Sequence, residues 1–291
     1  MLSQRKVYQD SKNSDETNEA THFIFSMFKK DKCDSDSLKK NSLLCNFRDL
    51  PLWLQDNCDI LKGYRRPTFS YLKCAESLFY VHNESVNIWS HLVGAIAFIF
   101  LGFITYDYVL SHHPSIIWWD VAVFYIFLMG AMICLGLSST FHTFCCHSEK
   151  VCAQWGRCDY VGIVTLIVTP EYRWFRTGLF VSMGLSAIIP LAHALIIYGF
   201  ELSVKVISLK WIIVMGVFYL TGAFIYGSRI PERWFPGKFD IYGSSHQIFH
   251  FFVVAAAFIH YFGVIQAMMY WHEQNHNCEL DVSMLKPSFI H

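Results

Sequence analysis

A chain of 291 residues that is 54% hydrophobic and 17% aromatic but only 16% charged is not composed like a soluble domain. It matches a multi-pass membrane protein with short loops. Lysine plus arginine and aspartate plus glutamate each number 23, so the basic excess of a nucleic-acid binder is missing.

Residues 1–45 are rich in Lys, Asp, Ser and Asn and are predicted to form a disordered cytoplasmic tail, with Phe23–Phe28 its one apolar run. Met1 to Asp10 lacks the apolar core of a signal peptide. Residues 46–87 turn aromatic and amphipathic, with Leu50-Pro51-Leu52-Trp53-Leu54, then Tyr64-Arg65-Arg66-Pro67, then a short surface helix over Cys74–Phe79. Residues 88–269 form the transmembrane bundle and 270–291 an extracytoplasmic tail. Full spans are predicted at Ile88–Tyr106, Val121–Phe141, Thr177–Tyr198, Ile207–Tyr226 and Gln247–Met268. A sixth apolar piece, Tyr160–Val168, has about half the length a crossing needs, and Pro170 with the charged Glu171–Arg176 ends it.

Basic residues in short loops give the orientation. Lys62, Arg65, Arg66 and Lys73 precede the first span, and Lys150, Arg157, Arg173, Arg176, Arg229 and Lys238 fall in later loops. The loop Asp107–Asp120 has no Lys or Arg. These charges share the cytoplasmic side only if Tyr160–Val168 does not cross alone; Lys205 and Lys210 are the exceptions. The fold class is an all-α multi-pass transmembrane bundle of five full spans and one half-span. The ten cysteines follow no secreted-domain spacing and read as reduced thiols.

The last span opens Ser245-His246-Gln247-Ile248-Phe249-His250, which stacks two imidazoles one helical turn apart on one face. Ionisable groups inside a span are costly and usually functional, and neutral imidazole is a favoured zinc ligand. The bland alternative is one interfacial cap and one hydrogen bond to a neighbouring helix. At the end of the second span Ser138 and His142 are again one turn apart, and Asp159 opens the half-span. Taken alone, His142 reads as an interfacial histidine and Asp159 as an N-cap. Taken together, the topology sets His142, Asp159 and His246 at one membrane depth, with His250 a turn deeper. Three histidines and one aspartate can fill a tetrahedral zinc shell.

Other features carry weaker expectations. His91 and His193 read as hydrogen-bonded helix contacts, and His260 as structural or cavity-lining. Pro190 is expected to kink its span. Gly222 and Ala255-Ala256-Ala257 should allow close helix packing. Cys145, Cys146, Cys152 and Cys158 crowd one loop without a common zinc spacing.

Several segments together resemble the progestin and adipoQ receptor family, in its adiponectin-receptor branch, related to haemolysin III. They are Leu50–Asn57, Glu84–His91, Phe141-His142-Thr143 with Cys146–Glu149, Asp159-Tyr160, Ile230–Arg233, Phe235–Lys238 and Ser245–His250. The likeness runs from about Asn46 to Gly263. It implies a seven-helix fold with a cytosolic N-terminus. It also implies a zinc ion held by His142, His246 and His250, with Asp159 reaching the metal through a water and Ser138 behind it. Members have a complete third and a whole fourth span between the positions of Asp159-Tyr160 and Thr169–Tyr172; here only Val161–Val168 stands there.

Two functions follow as expectations. One is a receptor-type regulator of lipid and zinc homeostasis that hydrolyses a lipid amide such as ceramide. In that reading Asp159 is the general base and Ser138 its orienting group. The other is a non-catalytic receptor, zinc-handling or scaffold protein with structural zinc, or an inactive shortened form. Expected partners are membrane lipids (a sphingolipid, ceramide or fatty acid), a protein ligand or a cytoplasmic signalling protein, and no nucleic acid. The plasma membrane and the endomembranes fit equally.

Overall fold

The computed structural model describes residues 42–159, 178, 181, 182 and 184–284, the last ten of them by backbone alone. The half-span expected at Tyr160–Val168 and all but the last four residues of the expected tail lie outside this set. A two-residue strand β1 (Leu44–Cys45) pairs antiparallel with β2 (Tyr64–Arg65), Leu44 opposite Arg65. Described structure thus begins just ahead of the boundary drawn at residue 46. Helix α1 (Tyr71–Glu76) is capped by Ser70, whose side chain accepts from the Lys73 amide, and a 3-10 turn over Ser77–Phe79 follows it.

The long helices are α2 (Ser85–Thr105), α3 (Trp118–Phe144), α5 (Ile188–Val206), α6 (Leu209–Ser228) and α7 (Ser245–Met284). The polar helix α4 (Glu149–Asp159) follows α3. All five long helices are long and apolar enough to cross a membrane, α2 through a π-helical turn to Leu110 and α7 as far as Gln274. In hydrocarbon every backbone polar group must be satisfied within the chain, and an uninterrupted helix does this locally. Helix α7 outruns its predicted end at Met268, so the first fifteen residues of the expected tail continue the helix.

Helices α2, α3 and α7 share a core of Phe98, Phe124, Leu128, Leu135 and Tyr261, and the Thr105 and Tyr261 hydroxyls meet there at 2.6 Å. Helices α6 and α7 are in close register. A Cβ placed on Gly222 would come 2.8 Å from the Phe252 Cβ and 3.2 Å from the Phe249 ring. Small residues let membrane helices approach this way, as expected for Gly222.

Helix α5 is bent. Gly199 takes φ 68° and ψ 173°, a conformation that suits glycine, and the Ser203 hydroxyl donates to the Ala194 carbonyl across the bend at 3.4 Å. The bend falls where the predicted third span ended, at Tyr198. Pro190, expected to kink this span, lies in the first turn of α5, directly after the turn at Ser186–Ala187 that separates it from helical residues 184–185, where a proline ring crowds the preceding turn.

The path of the chain is fixed by contacts at the two ends. Helices α2 and α7 start, and α3 and α6 finish, around His142, His246 and Tyr226. At the opposite end the Trp271 indole donates to the Val206 carbonyl and Trp211 to Gln266, while Ser115 meets His272. The chain therefore leaves α3 at the histidine end and begins α6 at the far end.

Candidate metal centre

The three imidazoles come from two helices that meet at one end of the bundle. His142 lies in the last turn of α3, and His246 and His250 in the first two turns of α7. Their ring centroids are 5.0 Å apart for His142–His246, 4.8 Å for His142–His250 and 4.9 Å for His246–His250. One ligand nitrogen from each lies within 4.8 Å of the other two, and no other metal-holding group of three occurs among the described residues. Tetrahedral zinc with bonds of about 2.0–2.1 Å needs nitrogens about 3.3 Å apart, which small ring rotations supply. An all-imidazole, largely buried donor set suits zinc and suits magnesium or calcium poorly.

Each helix end is held by groups around it. Arg65 is 3% exposed, and its guanidinium donates to the His142 and Thr143 carbonyls at the end of α3 and to the Ser77 hydroxyl. A cation on the last carbonyls of a helix satisfies groups that have no partner within it. At the start of α7 the fully buried Glu232 accepts from the Ser245 amide and hydroxyl and from the Asn57 side chain. Gln247 donates to the Asn83 and Ile241 carbonyls, tying α7 to the segment ahead of α2.

The outward ring nitrogens also have partners. His142 Nδ1 is 2.7 Å from Glu84 Oε2, and His250 Nδ1 is 3.1 Å from the Asn87 carbonyl. Buried ligand histidines need such partners to hold one tautomer and one ring orientation.

Asp159 is the last described residue of α4, and it stands outside the three-histidine group. Its carboxylate accepts from the Ser138 hydroxyl, one turn before His142. Burial raises its pKa above the ordinary aspartate value, while the nearby His142 and the Ser138 hydrogen bond pull it down. The structure thus brings all five predicted site residues together, with Asp159 beside the histidines and not a fourth member of their group. Helix α4 packs on α3 and meets it at Ser138. On the His246 side a polar cavity of about 70 Å³, lined by Asp56, Asn57, Glu84, Tyr226 and Arg229, leads toward the centre. That is room for more than one water molecule.

Other expectations meet mixed outcomes. The His91 ring stacks on the His250 ring at 3.7 Å, a helix-to-helix contact with both ring nitrogens buried. His193 is exposed on α5. His260 meets Phe127 edge-on at 5.0 Å. The Cys74 and Cys146 sulfurs lie 3.5 Å apart and Cys145 is hydrogen-bonded to Cys152, so the loop cysteines pair off without gathering as three metal ligands. The sequence reading missed Arg65, Glu84 and Glu232 as supports of the centre. Their charge beside or within apolar stretches was the available signal, because a buried charge needs a built partner.

Comparison with known proteins agrees with this architecture. The haemolysin-III-related family profile matches residues 79–170 and 168–261, two stretches that meet where the sequence falls short of its spans. An adiponectin receptor protein of Drosophila melanogaster is 39% identical over 269 residues, covering 78% of this chain and 60% of that protein. Because 269 positions use only 78% of a 291-residue chain, part of the relative has no counterpart here. The ADIPOR-like receptor IZH2 of Saccharomyces cerevisiae is 37% identical, covering 77% of this chain and 84% of the yeast protein. Progestin and adipoQ receptor-like protein 1 of Caenorhabditis elegans is 36% identical over 75% of this chain and 59% of its own length. Helical architecture, matched motifs and relatives agree: the chain belongs to the haemolysin-III-related family, in the group that contains the adiponectin receptors and the progestin and adipoQ receptor-like proteins.

Proposed function

We propose that this protein is an adiponectin-receptor-like membrane regulator of lipid and zinc homeostasis whose three histidines hold zinc and whose centre hydrolyses a lipid amide of the ceramide class. The observation that carries the reading is the meeting of His142 with His246 and His250, about a hundred residues away in sequence, with a Ser138–Asp159 pair alongside. When bound, zinc supplies Lewis acidity that polarises an amide carbonyl and acidifies water. Three protein ligands leave a fourth position, the arrangement of catalytic and not closed structural zinc sites. Asp159, near His142, would serve as the proton acceptor, and the Ser138 hydroxyl fixes its carboxylate. The lipid's chains would stay among the apolar helix walls while its polar head reaches the histidine end.

In this reading the histidine end faces the cytosol. Lys62, Lys73, Lys150 and Arg157 all belong to segments at that end, as the positive-inside rule requires.

The test is metal analysis and ceramide turnover by the purified full-length chain and by His250→Ala. Stoichiometric zinc and turnover in the wild type, both lost in the variant, support the reading. Full zinc and full turnover in the variant refute it. Zinc without turnover in the wild type leaves the structural-zinc receptor.

A further inference from the structure

The first turn of α2 touches two of the three imidazoles from outside. Glu84 Oε2 lies 2.7 Å from His142 Nδ1, and the Asn87 carbonyl 3.1 Å from His250 Nδ1. The Asn87 side-chain amide donates to the same Glu84 oxygen at 2.6 Å. Two residues of one turn thus bind the outer sides of ligands carried by two other helices.

A glutamate just ahead of a helix ordinarily accepts from that helix's own free amides. Glu84 holds the cap position of α2 and makes no such bond. Its carboxylate is turned to the neighbouring helix instead, so helix capping does not explain it. Neutral imidazole carries one ring proton, and an ionised carboxylate can only accept. Glu84 therefore places the His142 proton on Nδ1 and the lone pair on Nε2, and the Asn87 carbonyl does the same for His250.

We propose that Glu84 is a positioning residue of the metal centre: through His142 it selects the tautomer that binds the cation by Nε2, and its charge offsets that of the cation. The inference rests on the zinc reading above. Three neutral imidazoles leave a divalent ion uncompensated, and Glu84 and Asp159 are the carboxylates that flank the His142 ring. Outer partners of this kind typically change metal affinity 10- to 100-fold.

The test strips full-length protein in detergent with a chelator and titrates zinc against a chromophoric competitor. Glu84→Gln still accepts from Nδ1–H but is neutral, and is expected to bind zinc about 10-fold more weakly; Glu84→Ala loses bond and charge, and is expected near 100-fold. Cobalt substituted for zinc should show displaced d–d bands in Glu84→Ala. A purely structural role would lower the unfolding temperature of the stripped variants as much as that of the zinc-loaded ones. Here the zinc-induced stabilisation itself should shrink, beyond whatever the stripped forms lose with the Glu84 hydrogen bonds. Equal zinc affinity and equal cobalt spectra in all three proteins overturn the proposal while the wild-type zinc site stands. A wild type that takes up no zinc overturns the zinc reading itself. Should neither variant fold, Glu84→Asp keeps the charge but draws the carboxylate back from His142. Weakened zinc binding with a shifted cobalt spectrum supports the proposal there, and wild-type values overturn it.

Discussion

Replacing Gly222 with alanine tests whether α6–α7 packing sets the geometry of the centre. The new Cβ would sit 2.8 Å from the Phe252 Cβ, an atom that no side-chain rotation can move. Carbon atoms settle at about 3.5–4.0 Å, so the helices must part by about 1 Å. Overpacking of this kind typically costs about 1–3 kcal/mol. Phe249 and Phe252 flank His250, so a shift of α7 carries its two histidines with it. Metal–ligand bond lengths hold within about 0.2 Å, so a helix shift of this size should weaken zinc binding along with stability. The assay is thermal unfolding of purified protein with and without zinc, plus zinc affinity by competition. Gly136→Ala, where a Cβ meets nothing within 4 Å, is the control and should be neutral. A Gly222→Ala protein as stable as wild type, with undiminished zinc affinity, would refute the reasoning.

Further outcomes follow from the same geometry. Asp159→Asn should keep its zinc, because Asp159 stands outside the three-histidine group, yet lose about 100-fold or more in turnover; metal content and product release are measured on one sample. Arg65→Met should lower stability by about 2–4 kcal/mol, since it leaves the last carbonyls of α3 and the Ser77 hydroxyl without their donor; unfolding temperature reads this. Zinc binding should weaken as pH falls, because imidazole ligates only when neutral and protons compete at three rings; competition titrations at several pH values should show log affinity dropping with acidity. Glu232→Ala should loosen the start of α7 and expose its first amides to faster hydrogen exchange, while the far half of the helix keeps its protection.

Much of the architecture was legible from local signals. A run of about twenty apolar residues has one stable form in hydrocarbon. The helices cover the first, second and last predicted spans with longer ends, while the third and fourth begin later than predicted, at Ile188 and Leu209. The two histidines of α7 were visible as a pair because helical periodicity alone stacks residues four apart. The bend at Gly199 was harder to read, because a glycine tolerates a helix as well as a positive φ.

By itself the amino-acid sequence determined the membrane class, most of the helical segments, and the residue types able to hold a metal. Each depends on composition or on neighbours within a turn or two along the chain. Only the tertiary structure decided that His142 closes on His246 and His250, that Asp159 pairs with Ser138 instead of joining the group, and that Glu84 leaves its own helix to grip His142. Those are contacts between helices, and which side chains meet across an interface depends on the rotation and approach of whole helices, which no local pattern encodes.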